Sequence, residues 1–111
     1  MEKKIKDITF EVSQELVKLF GDKIERIVLY GSYARGDFEM ESDIDFMVLL
    51  NCNQEEITEN RKAMSRVASR IGLQNDIMVS LLARNYNEYK NNMKYQPFYQ
   101  NIEREGMSIY G

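Results

Sequence analysis

Histidine is absent from this 111-residue chain. Any acid–base chemistry near neutral pH must therefore come from carboxylates, bound water or a metal ion. Cysteine is nearly absent. Cys52 stands alone, which excludes an internal disulfide and points to a reducing cytoplasm; it reads as a small residue closing a strand rather than a reactive thiol. No apolar run is long enough to span a membrane, and the opening Met-Glu-Lys-Lys-Ile-Lys-Asp leads into no apolar stretch of the secretory kind. A positive excess is missing too: 15 Lys and Arg face 18 Asp and Glu, a net charge of −3, which argues against general nucleic-acid binding. What remains, 43% hydrophobic and 30% charged residues, is the composition of one globular domain spanning residues 1–111.

Apolar periodicity orders the chain. Ile5, Ile8, Val12, Leu16 and Leu19 recur by threes and fours and predict a helix over 3–20. A β-rich run over 24–30 ends at Gly31, and the small and polar residues of 31–42 predict a loop with one helical turn over 33–35. A second strand is expected over 43–50, and a helix over 54–71 with Ile57, Met64, Val67, Ala68 and Ile71 on its buried face. A third strand is expected over 76–82 and a short helix or loop over 85–94. A helix follows over 97–105, with the single proline, Pro97, in its first turn and Gly106 at its end. The short loop between the first two strands favours an antiparallel pair, and the helix between the second and third favours a right-handed parallel crossover. The expected fold is α/β (α+β): a small mixed sheet with core order 1-2-3, flanked by helices.

That order gathers chemistry at one sheet edge. Asp43 and Asp45 are two apart on a strand and so share a face, where two carboxylates repel. Asp76, opening the next strand, would add to the repulsion. One or two divalent cations bridging the acids relieve it, and oxygen-only ligands favour Mg²⁺, with Mn²⁺ as the substitute. Gly31 lets the backbone approach a ligand closely, and the amides and hydroxyl that follow at Ser32 suit phosphate oxygens. Arg35 would clamp a triphosphate with its planar fork, against the simpler reading of a solvated arginine.

Gly31-Ser32-Tyr33-Ala34-Arg35-Gly36 followed by Ser42-Asp43-Ile44-Asp45 resembles the signature of the DNA-polymerase-β-like nucleotidyltransferases, in particular the minimal nucleotidyltransferases of bacteria and archaea. Asp76 and the ending Ile102-Glu103-Arg104-Glu105-Gly106 are similar to that group as well. The resemblance implies the nucleotidyltransferase fold and transfer of AMP from ATP, with Mg²⁺ as cofactor. It implies that Gly31 and Ser32 hold the β- and γ-phosphates, that Asp43 and Asp45 are paired metal ligands, and that Asp76 is a third carboxylate on the catalytic metal. It also implies a small helical partner of the HEPN type, with this chain acting as the antitoxin by AMPylating or masking a toxin. A non-catalytic module that binds a toxin, and an adenylyltransferase acting on a small molecule, are the alternative readings; a homo-oligomer is left open. Lys62, Arg66 and Arg70 form a basic stripe best read as a solvated helix face. The tyrosines at 86, 89, 95 and 99 read as packing and rim residues, one of them available to stack on adenine.

Overall fold

The computed structural model describes residues 2–39 and 43–111. In chain order its elements are α1 (Lys3–Phe20), β1 (Ile24–Tyr30), a one-turn α2 (Ser32–Arg35), β2 (Ile44–Leu50), α3 (Gln54–Glu59), α4 (Arg61–Asn75), β3 (Val79–Asn85), α5 (Tyr86–Asn92), α6 (Pro97–Glu105) and β4 (Met107–Tyr110). The four strands form one mixed sheet in the order β3-β2-β1-β4. As expected, β1 pairs antiparallel with β2, and β2 pairs parallel with β3. The fourth strand was not anticipated. Only four residues long, β4 carries no usable alternation and becomes a strand by pairing antiparallel with the outer side of β1.

The sheet is covered on both faces, and β2 reports it: all its residues except Asp45 are buried. Ile44, Phe46, Val48 and Leu50 pack with Ile8, Val12 and Leu16 of α1 and with Met64, Val67 and Ile71 of α4. Met47 and Leu49 pack on the opposite side with Val28, with Tyr89 of α5 and with Ile102 of α6. Each fully buried Leu, Ile or Phe contributes about 1.5–3 kcal/mol, so the two clusters make β2 the anchor of the fold. Tyr89 is 1% exposed, and its hydroxyl donates to Glu103 Oε1 at 2.9 Å. Glu103 also pairs with Arg26, which ties α5 and α6 to β1.

Two expected boundaries move, and the second bears on function. The helix expected over 54–71 is two helices parted at Asn60 (φ −95°, ψ 3°), whose side-chain amide donates to the Glu56 carbonyl at 2.9 Å. A side chain that competes for backbone bonds in this way loosens a helix interior. α4 then continues past residue 71 to Asn75, so β3 starts at Val79 rather than at 76. Asp76 therefore opens no strand. It caps α4 in the left-handed conformation (φ 52°, ψ 48°), with its amide on the Gly72 carbonyl. Asp and Asn tolerate that conformation better than most residues, which gives the acid a structural role at this position. Among the described residues no helix is long and apolar enough to cross a membrane.

Candidate active site

β1 ends at Tyr30, and the chain turns through Gly31 with φ 77° and ψ −155°, a backbone conformation that only glycine adopts readily. The glycine is needed twice over. A β-carbon there would lie 2.8 Å from Asp45 Oδ2, so the carboxylate rests directly against the Gly31 backbone. The Gly31 carbonyl then accepts the amides of Ala34 and Arg35, both at 3.1 Å, which closes the single turn of α2. The amides of Ser32 and Tyr33 precede that first intrahelical bond, as the opening amides of any helix do. Gly36, also left-handed, ends the turn, and its amide returns to the Ser32 carbonyl at 2.9 Å. The rings of Tyr33 and Phe38 stack at 4.4 Å and brace the loop beyond it. Ser42, part of the sequence signature, lies outside the described residues.

Sheet register decides which side chains meet Asp45. Tyr30 of β1 stands opposite it, and Ser80 of β3 stands beside it in the parallel pair. Residues paired in register point to the same face, so Tyr30, Asp45 and Ser80 share the face covered by α5 and α6. Asp43 precedes β2 by one residue and is exposed, whereas Asp45 is half-buried. Burial, and secondly the neighbouring Asp43 charge, hold the Asp45 carboxyl above the usual aspartate range. The Tyr30 phenol is pushed up to about 12, first by burial and then by the Asp45 charge, with Arg84 acting in the opposite direction. The ring of Tyr30 meets Phe98 of α6 edge-on at 5.5 Å.

The structure thus brings Gly31, Ser32, Asp43 and Asp45 to one place, with Arg35 paired to other acids and Asp76 capping a helix. Arg35 reaches Asp37 at 3.2 Å and Glu105 at 3.5 Å on the surface, which ties α2 to the end of α6. Asp76 is exposed and lines one groove with Ser65 and Ala68 of α4, and another with Lys4 and Ile5 of α1 and with Tyr33 and Phe38 of the turn after Gly31. Among the described residues, no group of three or more His, Cys, Asp or Glu gathers closely enough to hold a metal ion. Tyr30 and Ser80, which the sequence did not single out, are neighbours only through pairing between strands; no local motif marks either.

The donor set suits a hard divalent cation: two carboxylate groups, with Asp45 close enough to feel the Asp43 charge and resting against a glycine whose absent side chain keeps the space open. A mixed sheet carrying such a pair beside a strand–glycine–helix turn is an arrangement suited to phosphoryl chemistry. A family model described as "Nucleotidyltransferase domain" matches residues 11–105, and the chain belongs to that family. It is similar to two proteins of Methanocaldococcus jannaschii (strain ATCC 43067) named "Putative protein adenylyltransferase". One, MJ0141, is 32% identical over 93% of this chain and 96% of its own length; the other, MJ0604, is 24% identical over 90% and 92%. Among solved structures, a toxin–antitoxin with AMP-PNP superposes with a TM-score of 0.54 at 23% identity, over 88% of this chain and 72% of that one. An MntA-HpeT toxin–antitoxin mutant superposes with a TM-score of 0.53 at 24% identity, over 89% and 72%. Both share the fold of this chain.

Proposed function

We propose that this nucleotidyltransferase moves AMP from ATP onto a protein, and that the acceptor is a small helical HEPN-type toxin for which the chain serves as antitoxin. The observation that carries the reading is the Asp43–Asp45 pair, with Asp45 half-buried against Gly31 at the one point where a β-carbon would collide with it. Relatives of matching extent, named as protein adenylyltransferases, support a protein acceptor. The toxin–antitoxin structures, one of them holding AMP-PNP, support both the nucleotide and the partner. A cytoplasmic setting agrees with the unpaired, buried Cys52.

In this reading Asp43 and Asp45 hold Mg²⁺ or Mn²⁺, and the bound ion supplies positive charge against the phosphates and the attacking oxygen. The chain's own groups do the rest. The Gly31 backbone approaches the nucleotide, and the Ser32 amide and hydroxyl, with the Tyr33 amide, hold phosphate oxygens. Arg35 exchanges its exposed partners Asp37 and Glu105 for the triphosphate. An acceptor hydroxyl oxygen then attacks the α-phosphorus, and the bond from that phosphorus to the oxygen bridging to the β-phosphate breaks. Pyrophosphate leaves, and the hydroxyl proton passes to a carboxylate or to water. Placement and charge stabilisation account for the catalysis, as is general for in-line displacement at phosphorus.

The test co-expresses the chain with a candidate helical toxin and supplies ATP labelled on either its α- or its γ-phosphate. The expected result is label on the partner from α-labelled ATP in Mg²⁺, none from γ-labelled ATP, and none in EDTA. Transfer of the γ label, or full transfer in EDTA, would overturn the reading.

A further inference from the structure

We infer that Ser80, and not Asp76, completes the cation site, as a neutral hydroxyl beside Asp45; the inference rests on the nucleotidyltransferase reading above. The parallel pairing sets Ser80 next to Asp45, on a neighbouring strand about 4.8 Å away and on the same face. Tyr30 stands on the other side of Asp45, so this acid lies between two hydroxyl-bearing residues and not beside a third carboxylate. Asp76 precedes Ser80 by four residues and lies outside β3, which begins only at Val79. Its backbone is committed to capping α4. It opens onto grooves lined by α1 and α4, which cover the face opposite to Asp45, and on one side by Tyr33 and Phe38 of the turn after Gly31, whereas Ser80 is the residue paired in register with Asp45.

The consequence is a site of two negative charges, which one divalent ion balances. A second ion would depend on the charge that a triphosphate brings. A serine hydroxyl adds an oxygen donor without adding to the repulsion already present between Asp43 and Asp45.

Mn²⁺ binding to the full chain without nucleotide, followed by electron paramagnetic resonance, reads this directly and independently of transfer activity. Asp76→Gly removes the carboxylate yet keeps the left-handed cap, so it should bind Mn²⁺ like wild type. Ser80→Ala should weaken binding about threefold or more, the effect of one lost oxygen contact. Ser80→Asp should tighten it by about tenfold or more, because affinity follows ligand charge, and should melt lower in EDTA through the added repulsion. Loss of binding in Asp76→Gly comparable to that in Asp45→Asn would overturn the inference, as would unchanged affinity in both Ser80 variants. Mn²⁺ binding by Asp45→Asn equal to wild type, or none by wild type, would overturn the underlying site as well.

Discussion

Replacing Gly31 with alanine should damage the fold and the site together, and the two losses are separable. At φ 77° and ψ −155° a non-glycine residue carries a backbone penalty of about 1–3 kcal/mol. The new β-carbon would also sit 2.8 Å from Asp45 Oδ2. That oxygen is the end of a side chain, so the carboxylate can rotate away at a cost of about 0.5–1.5 kcal/mol. The sum is about 1.5–4.5 kcal/mol, which for a domain of this size lowers Tm by on the order of 10 °C. ATP affinity in Mg²⁺ should fall as well, since the displaced carboxylate is the proposed ligand. Thermal melts of Gly31→Ala, Asp45→Ala and the double variant form the assay. In the Asp45→Ala background the glycine substitution should cost only the backbone part, about 1–3 kcal/mol, because the collision is gone. A single variant melting like wild type would refute the strained-turn argument. An equal cost in both backgrounds would refute the close approach.

Three further outcomes are expected. Asp43→Asn with Asp45→Asn should abolish transfer while leaving the EDTA melting temperature unchanged or raised. The sign follows from Asp45, whose folded-state pKa is raised: it penalises the metal-free fold above that raised value, and the penalty fades as pH falls through it towards the ordinary aspartate range. The stability gap between wild type and Asp45→Asn, read by melts in EDTA, should therefore narrow on acidification, and a gap that widens would contradict it. Tyr89→Phe removes a buried hydroxyl bonded to Glu103 and should cost about 1–2 kcal/mol in denaturant unfolding with transfer retained, so an unchanged midpoint would count against that bond.

Residues 3–20 could be read as a helix because Ile5, Ile8, Val12 and Leu16 repeat at its period, and all four are buried. β1 and the sense of its pairing with β2 were legible for a similar reason: two short apolar runs separated by a glycine-bearing loop allow few arrangements. The boundaries near Asn60 and Asp76 were not. A helix ends where local side-chain bonds and tertiary packing outweigh periodicity, and the pattern in 54–71 is equally compatible with one helix or two. β4 escaped because four residues with exposed Met107 and Ser108 acquire their strand character from β1 alone.

The candidate site divides along the same line. The sequence by itself determined that Asp43 and Asp45 share a parity, that a glycine and a serine follow a strand, and that no histidine competes for the chemistry, because each is a matter of residue type and spacing along the backbone. Tertiary structure alone decided that Asp45 lies on Gly31, that Tyr30 and Ser80 flank it, that Arg35 is held by Asp37 and Glu105, and that Asp76 caps a helix. Those neighbours are set by hydrogen-bond register between strands distant in sequence and by where α4 stops. A register shift of one residue would turn Ser80 to the other face without altering any local pattern.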